Sequence, residues 1–183
     1  MSDGCVLHGR VWPTRAANPA IGCLYIHGIQ SHGGWFEWSA SLLAERLGPV
    51  LLADRRGSGL NQAARGDTPG VDRWLRDLDE LADWAGVELG VRRFAVVGVS
   101  WGGKLAALWA HRRSQLIERL LLIAPGIFPR VDLSTSAKLR VGWALISDPQ
   151  RQFEIPLSDP ALFTDSARAR SCLLYTSPSP RDS

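Results

Sequence analysis

Apolar positions along this chain fall into short runs separated by helical stripes. CVLHGRVWP, residues 5–13, alternates apolar and polar positions and predicts a strand, with a turn from Pro13 to Pro19 behind it. AIGCLYIHG (20–28) is a short apolar run closed by glycine, the pattern of a buried strand. GGWFEWSASLLAERLG (33–48) predicts a helix, with Leu43 and Leu47 four apart and Gly48 as its stop. PVLLADRRGSG (49–59) is a second buried run leading into a glycine-rich turn. Thr68-Pro69 predicts a helix start, with threonine as N-cap and proline at the first helical position, where its missing N–H costs nothing. Behind it Val71, Trp74, Leu75, Leu78, Leu81, Ala82 and Ala85 share one face, and Gly90 ends the helix. RFAVVGVS (93–100) is a third buried strand, residues 101–113 a helix, and IERLLLIAPG (117–126) a fourth strand.

Strands and helices thus take turns, which predicts an α/β fold: a mostly parallel sheet with helices on both faces. From Ile127 the pattern changes. STSAKLRVGWALIS (134–147) predicts a capped helix with Leu139, Trp143 and Ile146 as an apolar stripe, and DPQRQFEIPLSDPALFTD (148–165) is rich in turn residues. The last twelve residues, CLLYTSPSPRDS (172–183), follow neither period, and Cys172 to Asp182 resembles the translation of a transposase sequencing adapter. The expected organisation is a core over 1–126, a partial cap insertion over 127–171 and a non-native tail over 172–183.

Composition adds limits. The 183 residues are 45% hydrophobic and 21% charged, enough to bury one domain's core. A net charge of +3 with scattered Lys and Arg argues against a nucleic-acid surface. No apolar run reaches the roughly 18 residues of a membrane span, and the N-terminus lacks the plan of a secretion signal. Cys5, Cys23 and Cys172 do not form a disulfide framework, so a cytoplasmic protein is expected. There is no ligand-spaced His/Cys cluster, and neither a metal nor a cofactor is expected.

The chemistry concentrates in Gly98-Val99-Ser100-Trp101-Gly102, a G-x-S-x-G between a buried strand and a helix. A serine on so tight a turn has its hydroxyl lifted to the end of the sheet, and close-packed neighbours there must lack side chains. The same residues satisfy G-x-x-x-x-G-K of a phosphate loop through Lys104, but Leu105 stands where Ser or Thr would hold Mg²⁺. Acyl transfer needs two backbone N–H donors for the oxyanion, one after the nucleophile and one from a loop behind a neighbouring strand. Trp101 and Ile29 of YIHGIQSHGG meet that description, with His27 and Gly28 holding the loop and His32 exposed. Asp54 and Arg56 of DRRGSG are assigned no chemistry.

HGIQSHGG, DRRGSG and GVSWGG, in that order, resemble the α/β-hydrolase superfamily. Residues 5 to about 170 are most similar to its lysophospholipase and monoacylglycerol-lipase-like branch, also called serine-aminopeptidase-like hydrolases, and LLLIAPGIFP resembles that branch's sixth strand and cap entry. The resemblance implies an α/β-hydrolase fold, a serine nucleophile at Ser100 and an acyl-enzyme mechanism on a small, lipid-like ester. It implies no nucleic-acid partner and no stable membrane insertion, and leaves the oligomeric state open. Ile29-Gln30, Asn61 and Trp101 depart from the usual residues at their positions.

The family order is serine, acid, histidine. After Ser100 the one histidine is His111, eleven residues down the same helix and so about 16 Å along its axis, far beyond the reach of a nucleophile–base hydrogen bond. Asp132, Asp148, Asp159 and Asp165 fall in the expected cap and not at strand ends. The chain therefore reads as an N-terminal fragment of a serine ester hydrolase, lacking the triad acid and histidine, cut before the last strands and inactive by itself. An amide or peptide hydrolase of the same fold, a non-catalytic binding protein and a P-loop nucleotide binder are the alternatives. The Leu139–Trp143–Ile146 stripe is either packing or a lid face that meets acyl chains.

Overall fold

Five strands build one sheet in the order β1-β3-β2-β4-β5 in the computed structural model, which describes residues 1–14, 21–127, 133–149, 151–153 and 166–167. The strands are β1 (Gly9–Trp12), β2 (Ile21–Ile26), β3 (Val50–Ala53), β4 (Arg93–Val99) and β5 (Ile117–Ile123). The helices are α1 (Glu37–Leu47), α2 (Val71–Leu89), α3 (Trp101–Arg112) and α4 (Thr135–Ser147). β1 pairs antiparallel with β3, whereas β3, β2, β4 and β5 run parallel. The expected α/β architecture, a mostly parallel sheet, is therefore present.

Strand alternation sorts the core into two layers, because successive side chains point to opposite faces. On one face Leu24, Ile26, Leu51 and Val96 pack with Leu75, Leu78, Ala82 and Ala85 of α2 and with Leu105, Ala106 and Trp109 of α3. On the other Cys23, Tyr25, Val50, Leu52 and Val97 pack with Ala40 and Ala44 of α1. Helices thus cover both faces, which is why β2, β3 and β4 read as continuous apolar runs. β5 is the outer strand among the described residues, and its Leu120, Leu121 and Ile123 are exposed.

Four local expectations need correcting. The helix expected at Thr68-Pro69 begins at Val71, with Gly70 as its N-cap. Gly70 holds φ 150°, a backbone region open to glycine, and this breaks the chain between Pro69 and the helix. Val71, expected on the buried face, is exposed in that first turn, while Arg73 and Asp77 are buried in ion pairs with each other and their neighbours. The helix expected from Gly33 starts as a 3-10 turn over Gly33–Phe36 before α1. His32 is half-buried and not exposed: its ring accepts from the Gly34 N–H at 3.1 Å and caps that turn.

The described part divides into two compact units, Met1–Ile127 and Phe128–Ser183. In the second, α4 begins where the sequence placed its cap, with the Ser134 hydroxyl accepting from Ala137 N–H at 3.3 Å. Leu139, Trp143 and Ile146 are all exposed. Most of the turn expected from Pro13 to Pro19, most of the 148–165 stretch with Asp159 and Asp165, Asp132 and the 172–183 tail lie outside the described residues. Among the described residues no helix is long and apolar enough to cross a membrane.

Candidate active site

The carboxyl ends of β2 and β4 lie side by side, with Ile26 paired to Gly98. From β2 the chain moves to β3 on one side and returns to β4 on the other. Between those two strands the order reverses, and the crevice beyond such a reversal is where open α/β sheets gather their functional loops.

Ser100 is the single residue between β4 and α3, with φ 51° and ψ −122°. A non-glycine residue rarely adopts this conformation, and at functional sites it is retained because the surroundings enforce it. Here the Ser100 N–H donates to the Ile123 carbonyl at 2.9 Å, while its own carbonyl accepts from Gly103 and Gly126 N–H, each at 2.9 Å. The end of β5 and the turn after it therefore hold the elbow, and the Ser100 side chain is exposed.

Space explains the flanking glycines. A β-carbon at Gly98 would lie 2.5 Å from the Ala106 side chain, and one at Gly102 would lie 2.3 Å from the His27 carbonyl oxygen. α3 could not approach the sheet so closely with any larger residue at either position. With one residue separating strand from helix, there is no loop to wrap a phosphate. Leu105 is in the core and Lys104 is exposed on α3, so the geometry disfavours the phosphate-loop alternative.

Gly28 is the neighbour of Ser100 across the crevice: a β-carbon on Gly28 would be 3.4 Å from Ser100 Cβ and 3.8 Å from Oγ. Ile29 follows it, half-buried, and Gln30 turns the chain with φ 51°. Trp101 opens α3, where the first N–H groups of a helix lack intrahelical acceptors. The structure thus brings Ser100, Gly28 and Trp101 together with Ile29 adjoining, and leaves His111 exposed at the far end of α3.

His27 is fully buried. Its Nε2 accepts from the Arg55 N–H at 2.9 Å, so Nδ1 carries the proton and donates to the Gly28 carbonyl at 2.9 Å. Burial, helped by the Arg55 charge, pushes its pKa down to about 3, and the ring is neutral at ordinary pH. Asp54, also fully buried, accepts from Gly33 N–H at 2.6 Å, Leu60 N–H at 3.0 Å and Arg10 Nη1 at 3.2 Å. Burial pushes its carboxyl up, but the Leu60 and Gly33 N–H bonds and the Arg10 charge outweigh it and hold the group below the usual carboxylate value. Asp54 thereby ties the start of the 33–36 turn to the residues after β3. Arg56 pairs with Asp77 of α2 at 2.8 Å and with Asp3 at 3.0 Å.

One residue the sequence did not mark is Arg55. Its guanidinium donates to the Gly28 carbonyl at 2.7 Å and the His27 carbonyl at 3.3 Å. It also lies over the rings of Trp101, 4.8 Å from the centroid, and Trp74, 5.7 Å away. Those two rings meet edge to face at 4.8 Å. Burial lowers its pKa to about 10 against the opposing pull of Asp54, which leaves it cationic at neutral pH. Trp101 departs from the usual residue at its position, and here its indole is the stacking platform of Arg55.

Residues 17–171 match a family model, Hydrolase_4, described as serine aminopeptidase, S33. Over 126 residues the chain is 29% identical to the uncharacterised protein YnbC of Escherichia coli K12, covering 68% of this chain and 22% of that protein. Over 142 residues it is 31% identical to an uncharacterised abhydrolase-domain protein of Dictyostelium discoideum, covering 77% of this chain and 15% of that protein. The chain thus spans less than a quarter of the length of either relative. Among solved structures it is similar to a monoacylglycerol lipase of Paleococcus ferrophilus, with a TM-score of 0.76 at 19% identity over 94% of this chain and 63% of that one. At that identity the likeness is one of fold.

Proposed function

The chain belongs to the serine aminopeptidase S33 family, and on that premise we propose that it carries the nucleophile of a serine hydrolase acting on carboxylic esters, lipid-like or glycerol esters among them. The observation that carries this reading is Ser100, held at φ 51° on a one-residue elbow beside Gly28 at the reversal of strand order. Oγ attacks the ester carbonyl carbon, and the carbonyl electron pair moves onto oxygen. The N–H groups of Ile29 and Trp101 take that oxyanion. Collapse of the intermediate expels the alcohol and leaves an acyl-serine, which water then hydrolyses.

The Oγ proton needs a histidine base, which a carboxylate orients. His27 is committed to Arg55 and Gly28, and His111 stands at the other end of α3. Two free thiols, Cys5 and Cys23, support a place in the reducing cytoplasm.

The test is labelling of the full-length protein with a fluorophosphonate, alongside turnover of p-nitrophenyl esters. Labelling at Ser100, lost together with turnover in Ser100→Ala, is expected. Labelling at another residue, or turnover that survives the substitution, would refute the assignment. A folded full-length protein that neither labels nor hydrolyses would be a binding protein that reuses the fold. The description of the family as aminopeptidases favours a second reading, amide or peptide hydrolysis at the same serine. Faster cleavage of aminoacyl p-nitroanilides than of the matching esters would select it.

A further inference from the structure

We propose that Arg55 is a positioning residue: it holds the Gly28–Ile29 peptide so that the Ile29 N–H faces the oxyanion. This rests on Ser100 being the nucleophile. A trans peptide is planar, with its C=O and N–H pointing in opposite directions, so whatever fixes the Gly28 carbonyl also fixes the Ile29 N–H.

Two donors fix that carbonyl, Arg55 Nη2 at 2.7 Å and His27 Nδ1 at 2.9 Å. Arg55 acts on the second donor too, because its backbone N–H occupies His27 Nε2 and so decides which ring nitrogen carries the proton. Its Nε reaches the His27 carbonyl, one peptide earlier. If the Gly28–Ile29 peptide flipped, an N–H would face a buried guanidinium and the cation would lose its best acceptor. Leaving a buried charge unpaired is costly, so the flip is suppressed. With the carbonyl bound to a cation, the N–H at the other end of the same peptide becomes a stronger donor.

The same guanidinium stacks on Trp101, whose backbone N–H is the second oxyanion donor. One side chain therefore joins the two segments that carry the hole: the loop after β2 and the first turn of α3. Lysine could not do this, since it lacks the flat fork that bonds two carbonyls while lying against an indole.

The experiment compares Arg55→Met and Arg55→Lys with the unsubstituted full-length protein. kcat is normalised to fluorophosphonate-titrated sites, and the inhibition constant of a trifluoromethyl ketone, a mimic of the tetrahedral oxyanion, is measured in parallel. For Arg55→Met we expect kcat to fall on the order of 10- to 100-fold with KM within about threefold, and ketone affinity to fall by the same factor as kcat/KM. Arg55→Lys should recover part of both losses. A kcat within about threefold of the unsubstituted protein would overturn the proposal, as would a fall in kcat with undiminished ketone affinity, the mark of a merely structural role. Should Arg55→Met fail to fold, Arg55→Lys decides: a proportional loss of kcat and ketone affinity supports the role, and unchanged values refute it. If the unsubstituted protein does not label at Ser100, the nucleophile assignment fails and this proposal with it. Labelling of that protein with unimpaired Arg55 variants removes the positioning role alone.

Discussion

The first turn of α3 rests on the end of β2 with no side chain between them: a β-carbon at Gly102 would lie 2.3 Å from the His27 carbonyl oxygen. That oxygen is backbone and cannot swing aside. Gly102→Ala should therefore push the elbow away from the oxyanion loop and destabilise the fold by about 1–3 kcal/mol, the usual cost of overpacking. Urea unfolding measures the loss, and fluorophosphonate labelling of the full-length protein should fall with it. Stability and labelling unchanged from the native residue would mean that the contact relaxes freely.

Ser100 sits in a backbone region that glycine reaches without strain. Ser100→Gly should remove all hydrolysis yet raise stability, by up to about 1 kcal/mol, because strain at such a position costs on the order of 1–3 kcal/mol and glycine's extra unfolded-state entropy returns part of it. The comparison is with Ser100→Ala, which keeps the strain. Equal urea midpoints for the two variants would show that the strain at the elbow is no larger than glycine's entropic cost.

His27 makes stability depend on pH. With its folded pKa near 3 and an ordinary value of 6.5, its full contribution is present above pH 6.5. As pH falls from 6.5 toward 3 the unfolded chain takes up a proton that the folded one refuses, and stability declines by about 1.4 kcal/mol per pH unit. The depressed carboxyls of Asp54, Asp79 and Glu80 lose their contributions only below their ordinary values, near or under pH 4.5. Between pH 5 and 6.5 the slope in urea experiments should thus disappear in His27→Asn, which is also less stable overall. The same slope in both proteins would assign it to other groups.

β5, the outer strand among the described residues, presents Leu120, Leu121 and Ile123 to solvent. Apolar edge strands pair with other chains, and a lysine on such an edge is a common natural block. The 183-residue chain should self-associate in sedimentation experiments, with Leu121→Lys shifting it toward monomer. A monomeric, freely soluble chain with leucine in place would contradict this.

Much of the fold was legible because the information is local. Residues 20–26, 49–53 and 94–99 are runs without a charged residue, and strands buried on both faces leave that mark. Gly90 ends α2 as expected through a left-handed backbone, and the Ser or Thr cap expected for α4 is the Ser134 hydroxyl. The start of α2 was missed since Thr68-Pro69 satisfies the local rule for a helix start, while the chain continues to Gly70 at φ 150° before the helix begins. Arg73 and Asp77 escaped for a similar reason: as single charges they belong on a solvent face, and their pairing with each other, Arg56, Glu80 and Asp3 makes their burial tolerable.

By itself the sequence determined the alternation of strands and helices and the glycine–serine–glycine turn at residues 98–102, because periodicity and backbone sterics act over a few neighbouring residues. Tertiary structure alone decided that β2 lies between β3 and β4, and with it which loops face Ser100. It also decided that Arg55 grips His27 and Gly28 while lying on Trp101, and that Asp54 joins Gly33 to Leu60. Those partners are far apart along the chain. A hydrogen bond depends on ångström-scale placement set by strand order and packing, which no local pattern of residues specifies.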